Sequence, residues 1–592
     1  MKHLLLAVTI SLFGMYPAFG QLASTTALVG NVSDGAGANV SGAQVVARNT
    51  DTGQDLTART NEEGYYEFQF VRNGTYEITV TNSGFETYIK RGIPVAVNQT
   101  VRNDFTLTLG QVNQQVVVTA DVPPISTEDA TLTEVISTKA VTELPLNNRN
   151  SLRVALIVPT VLPGRKTPTG NPGGGEGFIG AGTREIQNSL SMDGVSIMNN
   201  LITTTTFRPS VDAIQETQIQ TGTYPAQYGH YMGVQINVIT KSGTNAVHGA
   251  VFHFLRNNIL DARGYFENRS ISQAPLRQNQ FGYAVAGPVV IPGLYDGRNR
   301  TFFLSNYEGL RNRQAVPTIE TVLTPLMRRG DFSEVTTTAI IDPLDPARPS
   351  FQGNRIPESR LSPQALRALQ YMPLPTGPGI NNNYNVNVPN ANDGNQLVHR
   401  LDHNITQNTR LFGRYAWANT DLLNGNSNPF NGYTQPVRDR NLVIGYTQVF
   451  SPTIVNDFRA GRQHTRIDSE NFFTGNNPGA GTALGIPGYT TDADNPGLPN
   501  LGITNYLPIG GQNMASSNWY QNDTTTQFAD SLSITRGAHN IAVGFDIRRV
   551  ATARTANNNP RGGFTFTGTI TGSAPADFLL GLPLQVTTPG PL

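Results

Sequence analysis

The sequence predicts a mainly β protein: an N-terminal immunoglobulin-like β-sandwich, a smaller α/β segment, and a long C-terminal region of antiparallel strands. Three observations predict it. Apolar residues alternate with period two, as in Phe281, Tyr283 and Val285 or Ile541, Val543, Phe545 and Ile547, which gives each strand one apolar face. Glycine (59) and proline (38) punctuate these runs, as turns demand. Charged residues make up only 14% of the chain, against roughly 25% in ordinary soluble domains.

Bulk composition removes several function classes. Lys plus Arg and Asp plus Glu are both 42, and a nucleic-acid footprint needs a basic excess, so no nucleic-acid partner is expected. The chain has no cysteine, hence no disulfide framework, thiol nucleophile or thiolate metal site.

Residues 1–20 are expected to be a secretory signal peptide. Lys2 and His3 supply positive charge, Leu4 to Phe13 an apolar core, and Ala18-Phe19-Gly20 the small residues of a cleavage site. The apolar run is too short to span a bilayer, and no later run of about 18 apolar residues is present. Barrel strands would escape such a search, because they alternate.

Residues 25–110 carry short alternating runs every 8–12 residues or so, split by turn signals. Ala27 to Val32 runs into Asp34-Gly35, Gln44 to Ala47 precedes Asp51-Thr52-Gly53, and Tyr65 to Phe68 and Tyr76 to Val80 flank Asn73-Gly74, a hairpin signal. This spacing predicts a sandwich of about seven strands. The pattern Gly30-x-Val32-x-Asp34, Gly42-Ala43-x-Val45, Thr60-x-x-x-Gly64-x-Tyr66-x-Phe68, Gly74-x-Tyr76-x-Ile78-x-Val80 and Gly84-Phe85 resembles the carboxypeptidase regulatory-like family. That resemblance implies an accessory module with a carbohydrate-binding-like fold, not a peptidase. Glycan contact and a ligand-free spacer are both compatible with it, and no cluster of exposed aromatics marks a sugar platform.

Residues 111–245 begin with Gln114, Gln115, Val116, Val117, Val118, Thr119 and Ala120. This β-prone run resembles a TonB box, the segment that an energy-coupling protein captures by strand addition; an unpaired run offers free N–H and C=O groups for that. The other reading is the last strand of the preceding sandwich. Ser137 is placed to cap a short helix ending before Pro145. Leu144, Pro145, Leu146, Asn147, Asn148, Arg149 and Asn150 resemble a signature of plug domains in TonB-dependent outer-membrane transporters of the Oar-like type, with Asn148 where glycine is usual. The tract Gly173-Gly174-Gly175-x-Gly177 lacks the lysine and helix of a phosphate loop and is expected to be a plug loop. Ser191-Met192-Asp193-Gly194-Val195 resembles the plug's Val-Asp-Gly turn, with Met192 in place of valine. The run Gly233 to Asn245, which holds Asn237, Thr240, Lys241, Gly243 and Thr244, resembles the end of such a plug, just before the first barrel strand.

Residues 246–592 show the clearest alternation. Leu411, Gly413, Tyr415 and Trp417 oppose Arg410, Phe412 and Arg414; Leu442, Ile444, Tyr446 and Phe450 lead to a tight turn at Ser451-Pro452-Thr453; Ile541 to Ile547 return opposite Gly544, Asp546 and Arg548. Such a pattern suits an outer-membrane barrel or a soluble sandwich; the export signal and the plug resemblance favour an antiparallel transmembrane β-barrel. The long polar stretches Gln314 to Asn395 and Ser469 to Asn518 exceed ordinary turns and are expected to be extracellular loops. Phe302 to Arg311, Arg329-Gly330-Asp331-Phe332-Ser333 and Ala576 to Gly581 resemble further Oar-type signatures. The chain departs from the family in strand number: about ten strands come after Ala246, where such transporters have about 22. It ends in Pro589-Gly590-Pro591-Leu592 rather than on an aromatic residue. A fragment, or a barrel that a partner completes, is the expectation.

His399-Arg400-Leu401-Asp402-His403 superficially resembles a zinc motif, but a site of that type needs its ligands on one helical face. Here the residues alternate as a strand, and no nucleophile elbow or phosphate loop occurs. No enzyme activity, cofactor or metal is expected. The family resemblance implies a location in the outer membrane of a Gram-negative cell, with sandwich and plug reachable from the periplasm. It implies import of a scarce solute (siderophore, vitamin or glycan class), with TonB and its inner-membrane complex as partner and outer-membrane lipid as surroundings. An outer-membrane adhesion or carbohydrate-binding protein without transport is the alternative, and a soluble secreted sandwich array a third.

Overall fold

The structure, a computed structural model, describes residues 26–588 except 70, 97–98, 111–114, 120–131, 145, 147–148, 165–176, 202–203, 223, 225–226, 266–272, 452, 490–493, 512–516, 537–538 and 557–559. The expected signal peptide, Gln114, Ala120, Pro145, Asn147 and the glycine tract from Gly173 to Gly175 lie outside the described residues.

The N-terminal strands are β1 (Ala27–Asp34), β2 (Gln44–Asn49), β3 (Asp55–Arg59), β4 (Tyr65–Gln69), β5 (Gly74–Thr81), β6 (Thr87–Val95), β7 (Thr100–Arg102), β8 (Phe105–Leu107) and β9 (Gln115–Thr119). They form two sheets. In one, β1 pairs with β4, β7 and β8; the other has the order β3-β2-β5-β6-β9. Alternation decides which side chains meet: Tyr76, Ile78 and Val80 of β5 point inward against Leu28, Tyr66 and Phe105. Each such side chain contributes about 1.5–3 kcal/mol on burial. Gly30 is required where β1 passes the chain before β8, because a Cβ there would sit 1.8 Å from the Asn103 carbonyl oxygen. That carbonyl accepts the Tyr66 hydroxyl at 2.7 Å.

Two expectations are corrected here. Asn73-Gly74 does not close a hairpin: β4 pairs with β1 and β5 with β2 and β6, so the link crosses between the sheets. Two sheets share one core only if some links cross between them, and the β4–β5 link is one that does, although its residues favour a tight turn. The run from Gln115 to Thr119 is not unpaired either. It lies parallel to β6, with Tyr88 opposite Val116 and Lys90 opposite Val118. It is the edge strand of the sandwich, with Val117 and Val118 exposed.

A mixed α/β domain comes next. Its strands are β10 (Thr133–Ser137), β11 (Val161–Pro163), β12 (Phe178–Gly180), β13 (Ser189–Met192), β14 (Val195–Ser196), β15 (Ile214–Gln220) and β16 (Gln235–Thr240), with helix α1 (Thr138–Glu143) after β10. The main sheet has the order β10-β15-β16-β13-β14. Ser137 caps α1, its hydroxyl accepting from the Ala140 amide. Asn150 caps the 3-10 turn at Ser151–Ile157 in the same way, through Leu152. Leu152, Phe207, Ile219, Ile236 and Val238 form the core.

The third unit is a nine-stranded antiparallel meander: β17 (His248–Asn257), β18 (Leu276–Pro288), β21 (Thr301–Glu320), β22 (Tyr384–Asn404), β23 (Thr409–Asn424), β24 (Tyr433–Ser451), β25 (Ile454–Asn471), β27 (Trp519–Arg536) and β28 (His539–Ala556). A small hairpin of β19 (Val290–Ile291) and β20 (Tyr295–Asp296) sits in the β18–β21 turn. The side-chain pattern is the reverse of a soluble sandwich. Leu401, Leu411, Tyr415, Leu442, Ile444, Val543 and Ile547 face out and are exposed, while Arg414, Asn441, Gln463 and Gln527 face in and are buried. Apolar outside and polar inside is the pattern of a lipid-facing barrel wall. No helix among the described residues is long and apolar enough to cross a membrane.

Connections alternate between short turns at one end, such as 405–408, and long segments at the other. The two longest segments are not simple polar loops. Residues 321–383 and 472–518 fold with the C-terminal segment into a cap that has its own core, including Leu323, Phe332, Leu369, Leu484, Ile509 and Phe578. The cap contains α2 (Pro363–Ala368), α3 (Ala480–Ala483), α4 (Ala574–Leu580) and the sheet β26 (Asn500–Ile503), β29 (Gly563–Phe566) and β30 (Gln585–Thr587). Sparse apolar residues, too scattered for periodicity, converge from three segments. Two of the sequence signatures serve this core: Phe332 is buried in it, and Asp577 binds the Thr571 amide and hydroxyl at 2.9 and 2.6 Å.

Candidate functional site

The α/β domain is held against the inner face of the nine-stranded sheet. Its side chains reach β21 (Ser210 to Glu308), β24 (Thr206 to Asp439), β25 (backbone of Asp193 to Arg459) and β27 (Asn200 to Asp523). One small domain touching strands so far apart in order requires the sheet to curl around it.

The centre of this interface is the Asp193-Gly194 turn between β13 and β14. Asp193 adopts φ 50°, an uncommon conformation that asparagine and aspartate tolerate best. Its Oδ1 accepts from the Thr240 amide at 3.0 Å and from Arg400 Nη1 at 3.1 Å. Its Oδ2 accepts from the Thr240 hydroxyl at 2.9 Å and from Arg414 Nε at 2.7 Å. Arg414 also donates to the Met192 carbonyl at 3.0 Å. Burial pushes the Asp193 carboxyl up, but Arg400, Arg414 and Thr240 outweigh it and hold the group below the usual aspartate range. Gly194 donates from its amide to Asn237 Oδ1, which also accepts from the Ser191 hydroxyl.

The ion pairs continue toward the N-terminal sandwich. Arg400 is bound by Asp402 through Nε and Nη2, both at 2.9 Å. Asp402 also faces Arg72 of the sandwich, 3.6 Å away, and the Arg72 guanidinium lies over the Phe302 ring. A chain of alternating charges thus runs Arg72, Asp402, Arg400, Asp193, Arg414. The sandwich lies at the short-turn end of the sheet, where Gln54 Nε2 donates to the Gln407 carbonyl and the Asn245 amide to the Asp51 carbonyl.

The residues singled out in the sequence divide into groups. Asp193, Gly194, Asn237 and Thr240 come together in the hub. Arg149 stands apart, donating to Asp212 at 2.6 Å and lying over the rings of Phe252 and Phe254. Leu144 and Leu146 pack on the domain core. The Lys241 amide donates to the Ala213 carbonyl, and burial pushes the Lys241 ammonium below the usual lysine range against the pull of Asp212. Gly243 passes between the backbones of Gly287 and Phe303, and the Thr244 hydroxyl donates to the Ala246 carbonyl. Sequence reasoning missed Arg400, Arg414, Asp402 and Arg72. Their signal was an ionisable residue on the inward face of a strand whose outward face is apolar. Within the His399–His403 run, Arg400 and Asp402 turn inward into ion pairs while His399 and Leu401 turn away. Among the described residues, no group of three or more His, Asp or Glu side chains is placed to hold a metal.

Beyond the hub, toward the cap, a cavity of about 140 Å³ separates the loops carrying Arg149 and Pro209 from the wall formed by β18, β21, β22, β23 and β24.

This architecture is that of an outer-membrane β-barrel protein with an N-terminal accessory sandwich. Residues 239–590 match the family described as outer membrane beta barrel domain, and the chain belongs to that family; residues 27–108 match the carboxypeptidase regulatory-like domain. The TonB-dependent transporter Oar of Myxococcus xanthus is 24% identical over 245 residues, which are 40% of this chain and 22% of that protein. Among solved structures, the outer membrane transporter YddB from Escherichia coli aligns with TM-score 0.43 at 9% identity, over 74% of this chain and 50% of its own. The siderophore receptor PirA from Acinetobacter baumannii aligns with TM-score 0.40 at 13% identity, over 73% and 50%. The chain therefore spans about a fifth of the Oar protein and half of each solved transporter.

Proposed function

We propose that this protein is a TonB-dependent outer-membrane transporter that imports a scarce solute, energised by the inner-membrane TonB complex. In this reading residues 111–245 are the plug, the nine-stranded sheet is barrel wall, and the sandwich faces the periplasm. The observation that carries it is the hub around Asp193. A domain held inside a barrel wall largely by hydrogen bonds and ion pairs, with Val398, Ala416 and Ala418 as its apolar contacts on the wall, can be loosened by force or by competing water. The chain of charges from Arg72 to Arg414 joins that hub to the sandwich.

The TonB contact in this reading is β9. Because β9 is already paired with β6 on one side, TonB would add a strand to its outer edge, and the pull would pass to the whole sandwich. The chain has no cysteine, so Val117→Cys or Val118→Cys introduces a single thiol. Either variant should form a disulfide in cells with a TonB that carries a cysteine in its strand-forming segment, while Thr57→Cys on the far edge strand should not. A folded chain that gives no cross-link at either valine would sink the assignment.

A further inference from the structure

The cavity between the α/β domain and the barrel wall has a lining that selects among ligand classes. Its wall carries a row of carboxamides set by strand register: Gln278 of β18 lies opposite Asn312 of β21, which lies opposite Asn392 of β22. Adjacent strands are about 4.8 Å apart, so these amides form an evenly spaced ladder of paired donors and acceptors. Gln280 and Gln396 lie further along the same inward faces.

Three polar atoms in this lining are buried without a hydrogen-bond partner: Asn312 Oδ1, Asn392 Oδ1 and Arg149 Nε. Buried polar atoms are rarely left so. A turn of the Asn312 or Asn392 amide toward the cavity would let each present both a donor and an acceptor.

Charge narrows the choice. Arg149 and Arg208 line the cavity with one carboxylate, Glu308. Arg149 is already neutralised by Asp212, and Glu308 accepts from Ser210, Gln280 and Gln396. Two guanidiniums and two carboxylates leave no net charge to hold a polyanionic iron chelate. A hydroxyl group both donates and accepts, and a ring bearing several of them matches a carboxamide ladder.

We propose that this cavity binds a neutral carbohydrate, with Asn312 and Asn392 reading its hydroxyls. The proposal names the solute of the transporter reading and rests on that reading for the transport step after binding. The test is calorimetry on the full chain in detergent, with malto-, cello- and xylo-oligosaccharides and with a ferric hydroxamate as probes. Asn312→Leu and Asn392→Leu keep the side-chain size and remove the amide, and each chain is first shown to keep its wild-type unfolding temperature. At least one oligosaccharide series should bind, at least tenfold more weakly to each variant, with little dependence on salt because no ion pair is formed. The proposal is overturned if no series binds, if binding survives in both variants, or if the ferric hydroxamate binds and the same variants abolish it. A chain that cross-links to TonB at Val117 yet binds no oligosaccharide defeats this site alone. One that binds oligosaccharide but never cross-links defeats the transport reading alone.

Discussion

Asp193 of the α/β domain and Arg414 of β23 meet at 2.7 Å, Nε to Oδ2, with both side chains shut away from solvent. They are 221 residues apart in sequence, and they fix where one domain sits inside another. Removing one member strands the other as a buried charge, which costs about 3–5 kcal/mol, whereas replacing both by apolar groups is often nearly neutral.

Arg414→Met should therefore destabilise the folded chain by about 3–5 kcal/mol, and Asp193→Leu by at least as much, because it also leaves the Thr240 amide and hydroxyl without their acceptor and puts leucine at φ 50°. The double variant should recover part of the loss. Urea unfolding in detergent checks this, and additive losses in the double variant would show that the pair does not couple.

The same carboxylate gives a pH dependence. Asp193 is held below the usual aspartate range in the folded chain, so its stabilisation is fully present above the unfolded value of about 3.9. It is lost as pH falls through the lower folded value. Unfolding midpoints measured downward from pH 5 should fall more steeply for the native chain than for Asp193→Asn. Parallel curves would remove Asp193 from the acid response.

Gly243 lies where the α/β domain hands over to β17. A Cβ there would come 2.4 Å from the Gly287 carbonyl oxygen and 2.8 Å from that of Phe303, both backbone atoms that cannot swing aside. Gly243→Ala should cost about 1–3 kcal/mol by overpacking and lower the yield of folded protein. Gly413→Ala, which meets nothing within 4 Å, is the matched control.

Arg72 ties the sandwich to the barrel through Asp402 and Phe302. Because Asp402 keeps Arg400, Arg72→Ala should leave the barrel's own stability nearly unchanged and loosen only the sandwich. Limited trypsin digestion should release the sandwich several-fold faster than from the native chain. An unchanged rate would place the attachment in the backbone contact between Asn245 and Asp51 and the Gln54 side chain on the Gln407 carbonyl.

Much of the architecture was legible in the residues. Period-two alternation marked β18, β23, β24 and β28, and Ser137 marked the start of α1, because these signals depend only on neighbours in the chain. The turn at Asn73-Gly74 misled, since its strands go to different sheets. The run from Gln115 to Thr119 looked free because nothing local announces a parallel partner 28 residues back, as β6 is for β9. The cap was read as polar loop because its apolar residues, such as Phe332, Ile509 and Phe578, carry no period and meet only after three segments fold together.

The sequence by itself determined that this is a β protein with an accessory sandwich, and which face of each strand is apolar. Strand geometry alone imposes that alternation. Only the tertiary structure decided that the apolar faces point outward. It also decided that Asp193, Thr240, Arg400 and Arg414 meet at one point and that the carboxamides of three strands line a single cavity. The physical reason is that a buried charge or amide is tolerable only beside a partner, and these partners come from strands whose register is set by folding and not by adjacency in the chain.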